Sequence, residues 1–203
     1  MALFLTLAVI RDATAIEKSA REGKWKDNHV YCTDPTGPTL GIIGMGAVGK
    51  HLARKAVLFN LNVQYHNRKP LDPEEGAKYP ATYCDTLEEL LRTSDVISVN
   101  CPLNASTRHL ISHKEFAMMK DGVFLVNTAR GAIVKEEALI EALESGKVAR
   151  AGLDVFKNEP NINEYFRKSE RCTLQPHLGG LTKRAIEDSE GECLENITTY
   201  FET

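Results

Sequence analysis

Short apolar runs alternate along this chain with amphipathic stretches. The apolar runs are rich in β-branched residues and have the length of buried strands; they cover residues 39–43, 61–66, 81–84, 95–100, 122–127, 148–155 and 172–175. Between them, apolar residues recur at helical spacing over residues 47–59, 86–91, 112–119, 135–145 and 181–200. Strands that alternate with helices imply right-handed βαβ units. The pattern therefore predicts an α/β fold, a doubly wound parallel sheet with helices on both faces.

The beginning of the chain is predicted to be one long helix. Residues 2–10 are apolar on nearly every side, residues 11–22 are amphipathic, and Gly23 is the expected stop. A helix that is apolar all round must be covered. We therefore expect either the domain itself or a second subunit to pack against it. Trp25 and a polar loop then lead to the first strand.

A glycine pattern joins the first predicted strand to the helix after it. Gly44, Gly46 and Gly49 form a G-x-G-x-x-G that leads into a helix starting near Ala47, as in Rossmann-type dinucleotide-binding folds. Gly44 would allow the tight turn, Gly46 the close approach of a pyrophosphate, and Gly49 the contact between helix and strand. The N–H groups of the helix start would face the phosphates. Three turn glycines without a ligand are the alternative, which the flanking strand and helix disfavour.

The end of the second predicted strand bears on the choice of cofactor. In NAD-binding versions of this fold an acidic residue at this place bonds the ribose 2′-OH. This chain has Asn67, Arg68 and Lys69 there. Arg68 could bind a 2′-phosphate through two parallel hydrogen bonds, with Lys69 as a second charge. The sequence therefore favours NADP(H), with NAD(H) possible; a solvated basic turn that contacts no ligand is the alternative.

The segments after four other predicted strands lie where ligands bind in open α/β sheets. They contain Asn100, Cys101 and Pro102; Asn127, Thr128, Ala129, Arg130 and Gly131; Asp154 and Glu159; and Pro176, His177, Leu178, Gly179 and Gly180. Three of these residues are of catalytic type, namely Arg130, Glu159 and His177. His177 could give a proton to the oxygen of a carbonyl group that accepts hydride. Glu159 could orient its imidazole ring, and Arg130 could bind a substrate carboxylate. Each of Arg130, Glu159 and His177 alone is weak evidence for catalysis. The three together indicate hydride transfer to a 2-keto acid.

Four motifs in this order resemble the D-isomer-specific 2-hydroxyacid dehydrogenase family. They are GIIGMGAVG at 41–49, VNTARG at 126–131, AGLDVF at 151–156 followed by Glu159 and Pro160, and PHLGG at 176–180. The resemblance implies that Arg130, Glu159 and His177 are the catalytic residues. It implies cofactor contacts at Ala47, Val48, Thr107, Ala129, Asp154, Gly179 and Gly180. Asn67 and Arg68 resemble the NADPH-preferring glyoxylate/hydroxypyruvate reductase branch, particularly its fungal members.

Family members have two lobes, and most of the substrate lobe has no counterpart in these 203 residues. We therefore expect an interdomain or dimerisation helix with its linker (1–38), a dinucleotide-binding domain (39–180) and a C-terminal helix (181–203). The resemblance also implies a homodimer formed through the N-terminal helix. The alternative function is a truncated cofactor-binding module, such as a sensor or a corepressor-like interaction domain, with little or no catalysis.

The composition of the chain argues against nucleic acids, membranes and metal ions as binding partners. A net charge of -3 gives no electrostatic reason to expect nucleic acid or an anionic membrane, and no apolar run approaches the roughly 20 residues that span a bilayer. Five scattered cysteines favour reduced thiols in the cytoplasm over a disulfide framework or a metal site. Residues 1–15 partly resemble a signal peptide but lack a basic start, and Arg11 and Asp12 interrupt them.

Overall fold

A seven-stranded parallel sheet is the centre of the computed structural model, which describes residues 1–24 and 32–202. Its strands are β1 (Thr39–Ile43), β2 (Asn62–His66), β3 (Thr82–Tyr83), β4 (Val96–Val99), β5 (Val123–Asn127), β6 (Val148–Leu153) and β7 (Cys172–Leu174). They lie in the order β3-β2-β1-β4-β5-β6-β7, and every pair is parallel. The predicted fold class is confirmed. Trp25 and the loop residues up to 31 lie outside the described residues.

Helices connect the strands and cover both faces of the sheet. They are α1 (Ala2–Ile10), α2 (Ala13–Arg21), α3 (Ala47–Ala56), α4 (Pro73–Gly76), α5 (Leu87–Thr93), α6 (His113–Met118), α7 (Glu136–Glu144), α8 (Glu164–Lys168) and α9 (Lys183–Glu202), with short 3-10 turns at Val57–Phe59 and Gly131–Ile133. Helix α6 begins with a capping box formed by Ser112 and Glu115. The short helices α4 and α8 were not predicted, because five residues or fewer carry no helical period.

The prediction of a single helix over residues 2–22 is wrong. The chain breaks at Arg11 and Asp12, and Asp12 adopts a left-handed backbone conformation with φ of 54°. Arg150 on β6 explains the break, because its guanidinium binds both carboxylate oxygens of Asp12 at 2.8 and 2.9 Å. The same guanidinium donates to the carbonyl oxygen of Val9, which the end of α1 leaves free. The ion pair and the carbonyl contact together fix where α1 ends.

The sheet covers one side of the apolar helix α1. Leu5, Val9 and Ile10 are fully buried, and a Cβ atom on Gly152 of β6 would lie 2.9 Å from the Leu5 side chain. The domain itself therefore covers this side, one of the two possibilities that the sequence left open. The opposite side remains apolar, and Phe4 is 53% exposed there.

Helix α9 and the cysteines complete the description of the chain. The described side chains of α9 are almost all exposed, including Leu194 and Ile197. All five cysteines are free thiols. Within the described ranges, no helix is both long and apolar enough to cross a membrane.

Candidate functional site

The glycine turn after β1 is held by direct contact with the end of β4. Gly44 has a φ of 97°, and a Cβ atom there would lie 2.6 Å from the backbone nitrogen of Cys101. At Gly49 a Cβ atom would lie 2.3 Å from the carbonyl oxygen of Gly44. Packing therefore requires glycine at both positions. Gly46 differs, because no protein atom lies within 4 Å of the place that a Cβ atom would take, so its missing side chain leaves open space at the start of α3.

Asn67 connects the end of β2 to this turn. Its Oδ1 accepts a hydrogen bond from the Met45 amide at 2.7 Å. The NH₂ group of Asn67 can donate to other groups, and Oδ1 can accept one more hydrogen bond. Arg68 and Lys69 follow, both exposed, and neither has a hydrogen-bond or ion-pair partner within residues 1–24 and 32–202. The corner therefore presents hydrogen-bond donors and positive charge.

Glu159 and His177 are 18 residues apart in sequence and hydrogen-bonded in the fold. His177 Nδ1 lies 2.7 Å from Glu159 Oε2, while Glu159 Oε1 accepts from the Phe156 amide at 2.8 Å. The Phe156 amide thus fixes Oε1 of the Glu159 carboxylate, while Oε2 orients the His177 imidazole. The opposite ring nitrogen, Nε2, is left for other partners, and the His177 side chain is 42% exposed.

Two opposing effects act on the acidity of Glu159. Partial burial by itself raises the pKa of the carboxyl group. The hydrogen bonds from His177 and Phe156, together with the charges of His177 and Arg130, outweigh burial and hold the pKa of Glu159 below its usual value. Glu159 is therefore an ionised carboxylate at neutral pH.

Arg130 reaches the same edge through the turn after β5. The buried side chain of Asn127 holds this turn in shape. Its Nδ2 donates to the Arg130 backbone carbonyl at 3.0 Å, and its Oδ1 accepts from the Ala129 backbone amide at 3.1 Å. A Cβ atom on Gly131 would lie 2.1 Å from the Phe156 carbonyl carbon, so the turn packs directly on the segment that carries Glu159. The Arg130 side chain is exposed and donates to the Ala129 carbonyl. The sequence placed Asn127 at this strand end, within the VNTARG motif, but assigned it no role.

The Asp154 side chain holds the loop that carries His177 through hydrogen bonds. It is 1% exposed, and its two oxygens accept hydrogen bonds from the Leu178 and Gly179 amides at 2.9 and 2.8 Å. His177 itself has a left-handed backbone with φ of 58°, a conformation that costs most residues about 1 kcal/mol or more. The Asp154 carboxylate therefore supports a strained position. Gly180 follows with open space around its α-carbon.

The remaining predicted residues lie near the ends of β1, β4 and β5. Thr107 donates to the Pro102 carbonyl oxygen at 2.6 Å, which folds the loop after β4 on itself. Burial raises the pKa of the Cys101 thiol, so this cysteine is neutral at neutral pH. Val48 is exposed on the first turn of α3 beside Ala47. In the described part of the chain, the buried side-chain oxygens of Asn100 and Thr128 have no hydrogen-bond partner.

These features fit a dinucleotide. The open space at Gly46 and the start of α3 suit a pyrophosphate, the donors at Asn67, Arg68 and Lys69 suit an anion, and the unpaired oxygens lie along the same edge. The described residues contain no group of three or more potential metal ligands. A groove of about 690 Å³ between α2 and β7 has none of Arg130, Glu159 and His177 in its lining, so it is separate from this edge.

Comparison with known proteins agrees with this geometry. The sequence profile "D-isomer specific 2-hydroxyacid dehydrogenase, NAD binding domain" matches residues 3–179. The chain belongs to this family. Its matched part is accordingly a domain that binds a nicotinamide cofactor.

Relatives carry names of dehydrogenases and reductases. Dehydrogenase efuE of Hormonema carpetanum is 59% identical over 203 residues, which are 100% of this chain and 51% of the relative. Glyoxylate reductase 1 of Saccharomyces cerevisiae is 38% identical over 96% of this chain and 57% of its own length. The crystal structure of a glyoxylate reductase from Paecilomyes thermophila superposes with a TM-score of 0.94 at 46% identity, covering 100% of this chain and 61% of that one. The chain thus spans about half to three fifths of the length of these relatives.

Proposed function

We propose that this chain supplies the coenzyme domain and the acid–base residues of an NADP(H)-dependent oxidoreductase that interconverts a 2-keto acid and a D-2-hydroxy acid. Glyoxylate and hydroxypyruvate are the proposed substrates. The observation that carries the proposal is the Glu159–His177 pair, 2.7 Å apart and next to Arg130 at the edge where a dinucleotide would bind. Glyoxylate reductases and a hydroxypyruvate reductase among the similar proteins support the choice of substrates.

Each of the three residues has a role that follows from its contacts. The cofactor, when bound, supplies the hydride. Glu159 accepts from Nδ1 of His177, which fixes the ring and leaves Nε2 to give a proton to the developing alkoxide or to take one from the hydroxy acid. Arg130 keeps guanidinium donors for the substrate carboxylate, since only Nη1 is directed to the Ala129 carbonyl.

The preference for NADPH over NADH rests on the corner after β2. No carboxylate stands at this corner for a ribose 2′-OH, since Asn67 is a neutral amide whose Oδ1 already accepts from the Met45 amide. Arg68 and Lys69 supply two cations for a 2′-phosphate. We expect Arg68→Ala to lower NADPH affinity by about tenfold or more and to leave NADH affinity within about threefold, because only NADPH carries the phosphate.

The test combines cofactor binding with turnover. The purified 203-residue chain is titrated with NADPH and NADH by fluorescence, and NADPH oxidation with glyoxylate or hydroxypyruvate is followed by absorbance. We expect His177→Ala to abolish 2-keto acid-dependent oxidation and to retain NADPH binding. The matched control is His113→Ala, since His113 also pairs with a glutamate, Glu141, at 3.1 Å but lies on α6. Unchanged turnover in the His177 variant would remove this residue from its proposed role.

A cofactor-binding module is the second candidate. It is favoured by the open setting of the His177–Glu159 pair, whose side chains are 42% and 34% exposed, because hydride transfer is usually shielded from water. NADPH binding without any 2-keto acid-dependent oxidation by the chain would support this candidate against the enzyme.

We further propose a cytoplasmic homodimer that contacts through the outer side of α1. Five free thiols fit a reducing compartment. Phe4 is exposed and Leu7 half-buried on the side of α1 that the sheet does not cover, which makes an apolar surface available to a second subunit.

A further inference from the structure

Two polar atoms at the carboxyl edge of the sheet lack the partners that buried groups normally have. Across residues 1–24 and 32–202, the buried side-chain atoms without a hydrogen bond are Asn100 Oδ1 and Thr128 Oγ1. Leaving a buried acceptor or hydroxyl unpaired is costly, and native structures contain few such atoms. Both of them lie at the ends of adjacent strands, which indicates one common cause.

The register of the sheet places these two residues side by side. Val99 of β4 pairs with Asn127 of β5, so Asn100 and Thr128 are the next residues of two neighbouring strands. Asn127 in turn pairs with Leu153, which places Asp154 at the same level after β6. Since side chains alternate between the faces of a sheet, the three polar side chains form a row along one face.

The chemistry of the pair defines what it would bind. The amide nitrogen of Asn100 donates to the carbonyl and hydroxyl oxygens of Ser98 at 3.2 and 3.0 Å, so its unpaired atom is an acceptor. The hydroxyl of Thr128 either donates or accepts. A group that donates to Asn100 and also exchanges a hydrogen bond with Thr128 would satisfy both; a hydroxyl and a primary amide have this property.

Strand order indicates which part of a dinucleotide lies here. The glycine turn follows β1, and the basic corner of Asn67, Arg68 and Lys69 follows β2 on one side of it. Strands β4 and β5 lie on the other side. An adenosine 2′-phosphate at the basic corner and a pyrophosphate at the turn would extend the nicotinamide riboside half over β4 and β5.

We propose that the side chains of Asn100 and Thr128 together bind a hydrogen-bonding group of the nicotinamide riboside half, either a ribose hydroxyl or the carboxamide. The proposal rests on the proposed binding of NADP(H). It assigns a binding role to Asn100 and to the Thr128 hydroxyl itself, and it gives both buried atoms a hydrogen-bond partner.

The decisive variant is Thr128→Val, which removes the hydroxyl and keeps the shape. Without ligand its melting temperature should equal or exceed that of the wild type by about 2 °C, because a buried unpaired group is lost. Its affinity for NADP⁺ should nevertheless fall by about tenfold. Thr128→Ser keeps the hydroxyl and should restore the affinity. In the control Thr6→Val, a buried hydroxyl that donates to the Ala2 carbonyl at 2.9 Å is removed, so the melting temperature should not rise and the affinity should not change.

Calorimetric titration with adenosine 2′,5′-bisphosphate, 2′-phospho-ADP-ribose and NADP⁺ shows which part of the cofactor contacts Thr128. Adenosine 2′,5′-bisphosphate, which lacks the nicotinamide riboside half, should bind the wild type and Thr128→Val equally. If the partner is a ribose hydroxyl, 2′-phospho-ADP-ribose should lose as much affinity as NADP⁺; if it is the carboxamide, only NADP⁺ should lose affinity. Equal NADP⁺ affinity in wild type and Thr128→Val, or an equal loss for the bisphosphate, would overturn the inference. A wild type that binds neither NADP⁺ nor NAD⁺ would instead refute the proposed function beneath it.

Discussion

The open space at Gly46 gives the sharpest test of the glycine turn. Gly46 and Gly44 are two residues apart, yet the structure assigns them different reasons for being glycine. At Gly46 the backbone has φ of -78°, which any residue adopts, and no protein atom lies within 4 Å of the position that a methyl group would occupy. At Gly44 φ is 97°, and the Cys101 backbone blocks a methyl group. Gly46→Ala should therefore affect ligand binding alone, and Gly44→Ala should affect folding.

The expected magnitudes follow from these contacts. Gly46→Ala removes backbone freedom from the unfolded chain, worth about 0.4–1 kcal/mol, and replaces a glycine N-cap by a poorer one at a similar cost, so the net change is about zero. Gly44→Ala forces a left-handed conformation at about 1–2 kcal/mol and an overlap with backbone at about 1–3 kcal/mol. A loss of about 3 kcal/mol corresponds to roughly 10 °C in melting temperature for a chain of this length.

The assay is thermal melting without ligand, followed by titration with NADPH. We expect Gly46→Ala to melt within about 2 °C of the wild type and to bind NADPH about tenfold more weakly or worse, because its methyl group would occupy the approach of the pyrophosphate. Gly44→Ala should melt well below both proteins. Wild-type NADPH affinity in Gly46→Ala would refute the placement of the phosphates at this turn, and a normal melting temperature of Gly44→Ala would refute the steric reasoning.

Three further predictions concern stability and association. Glu159→Gln should be less stable than the wild type at pH 7 by less than about 1 kcal/mol, since a third of the side chain is solvated. Because the pKa of Glu159 is lowered in the folded state, this difference should shrink as the pH falls below about 4.5, which melting curves from pH 7 to about pH 3.5 would check. Thr86→Ala should cost about 1 kcal/mol, or about 3 °C in melting temperature, because the Thr86 hydroxyl accepts from the Glu89 amide at the start of α5. Phe4→Glu should shift the sedimentation coefficient from dimer to monomer, and a wild type that sediments as a monomer at high concentration would contradict the proposed contact.

The sequence by itself was sufficient to predict the strands of the sheet, most of the helices and the glycine turn after β1. The apolar runs placed each strand to within two residues, because the length and apolar character of a buried strand are local properties of the sequence. The position of Arg130, Glu159 and His177 after strand ends predicted that they would share one edge. The structure brings them together there, while their catalytic roles stay predictions.

Tertiary structure decided what depends on residues far apart in the chain. The break between α1 and α2 is fixed by Arg150, 138 residues away from Asp12, and no helical period contains that information. The acceptor of Asn67 is used by Met45, and both oxygens of Asp154 hold the loop of His177, so these side chains support the site through contacts that spacing does not reveal. The unpaired oxygens of Asn100 and Thr128 are likewise visible only in the packed sheet, since burial and the lack of a partner are properties of the whole surroundings.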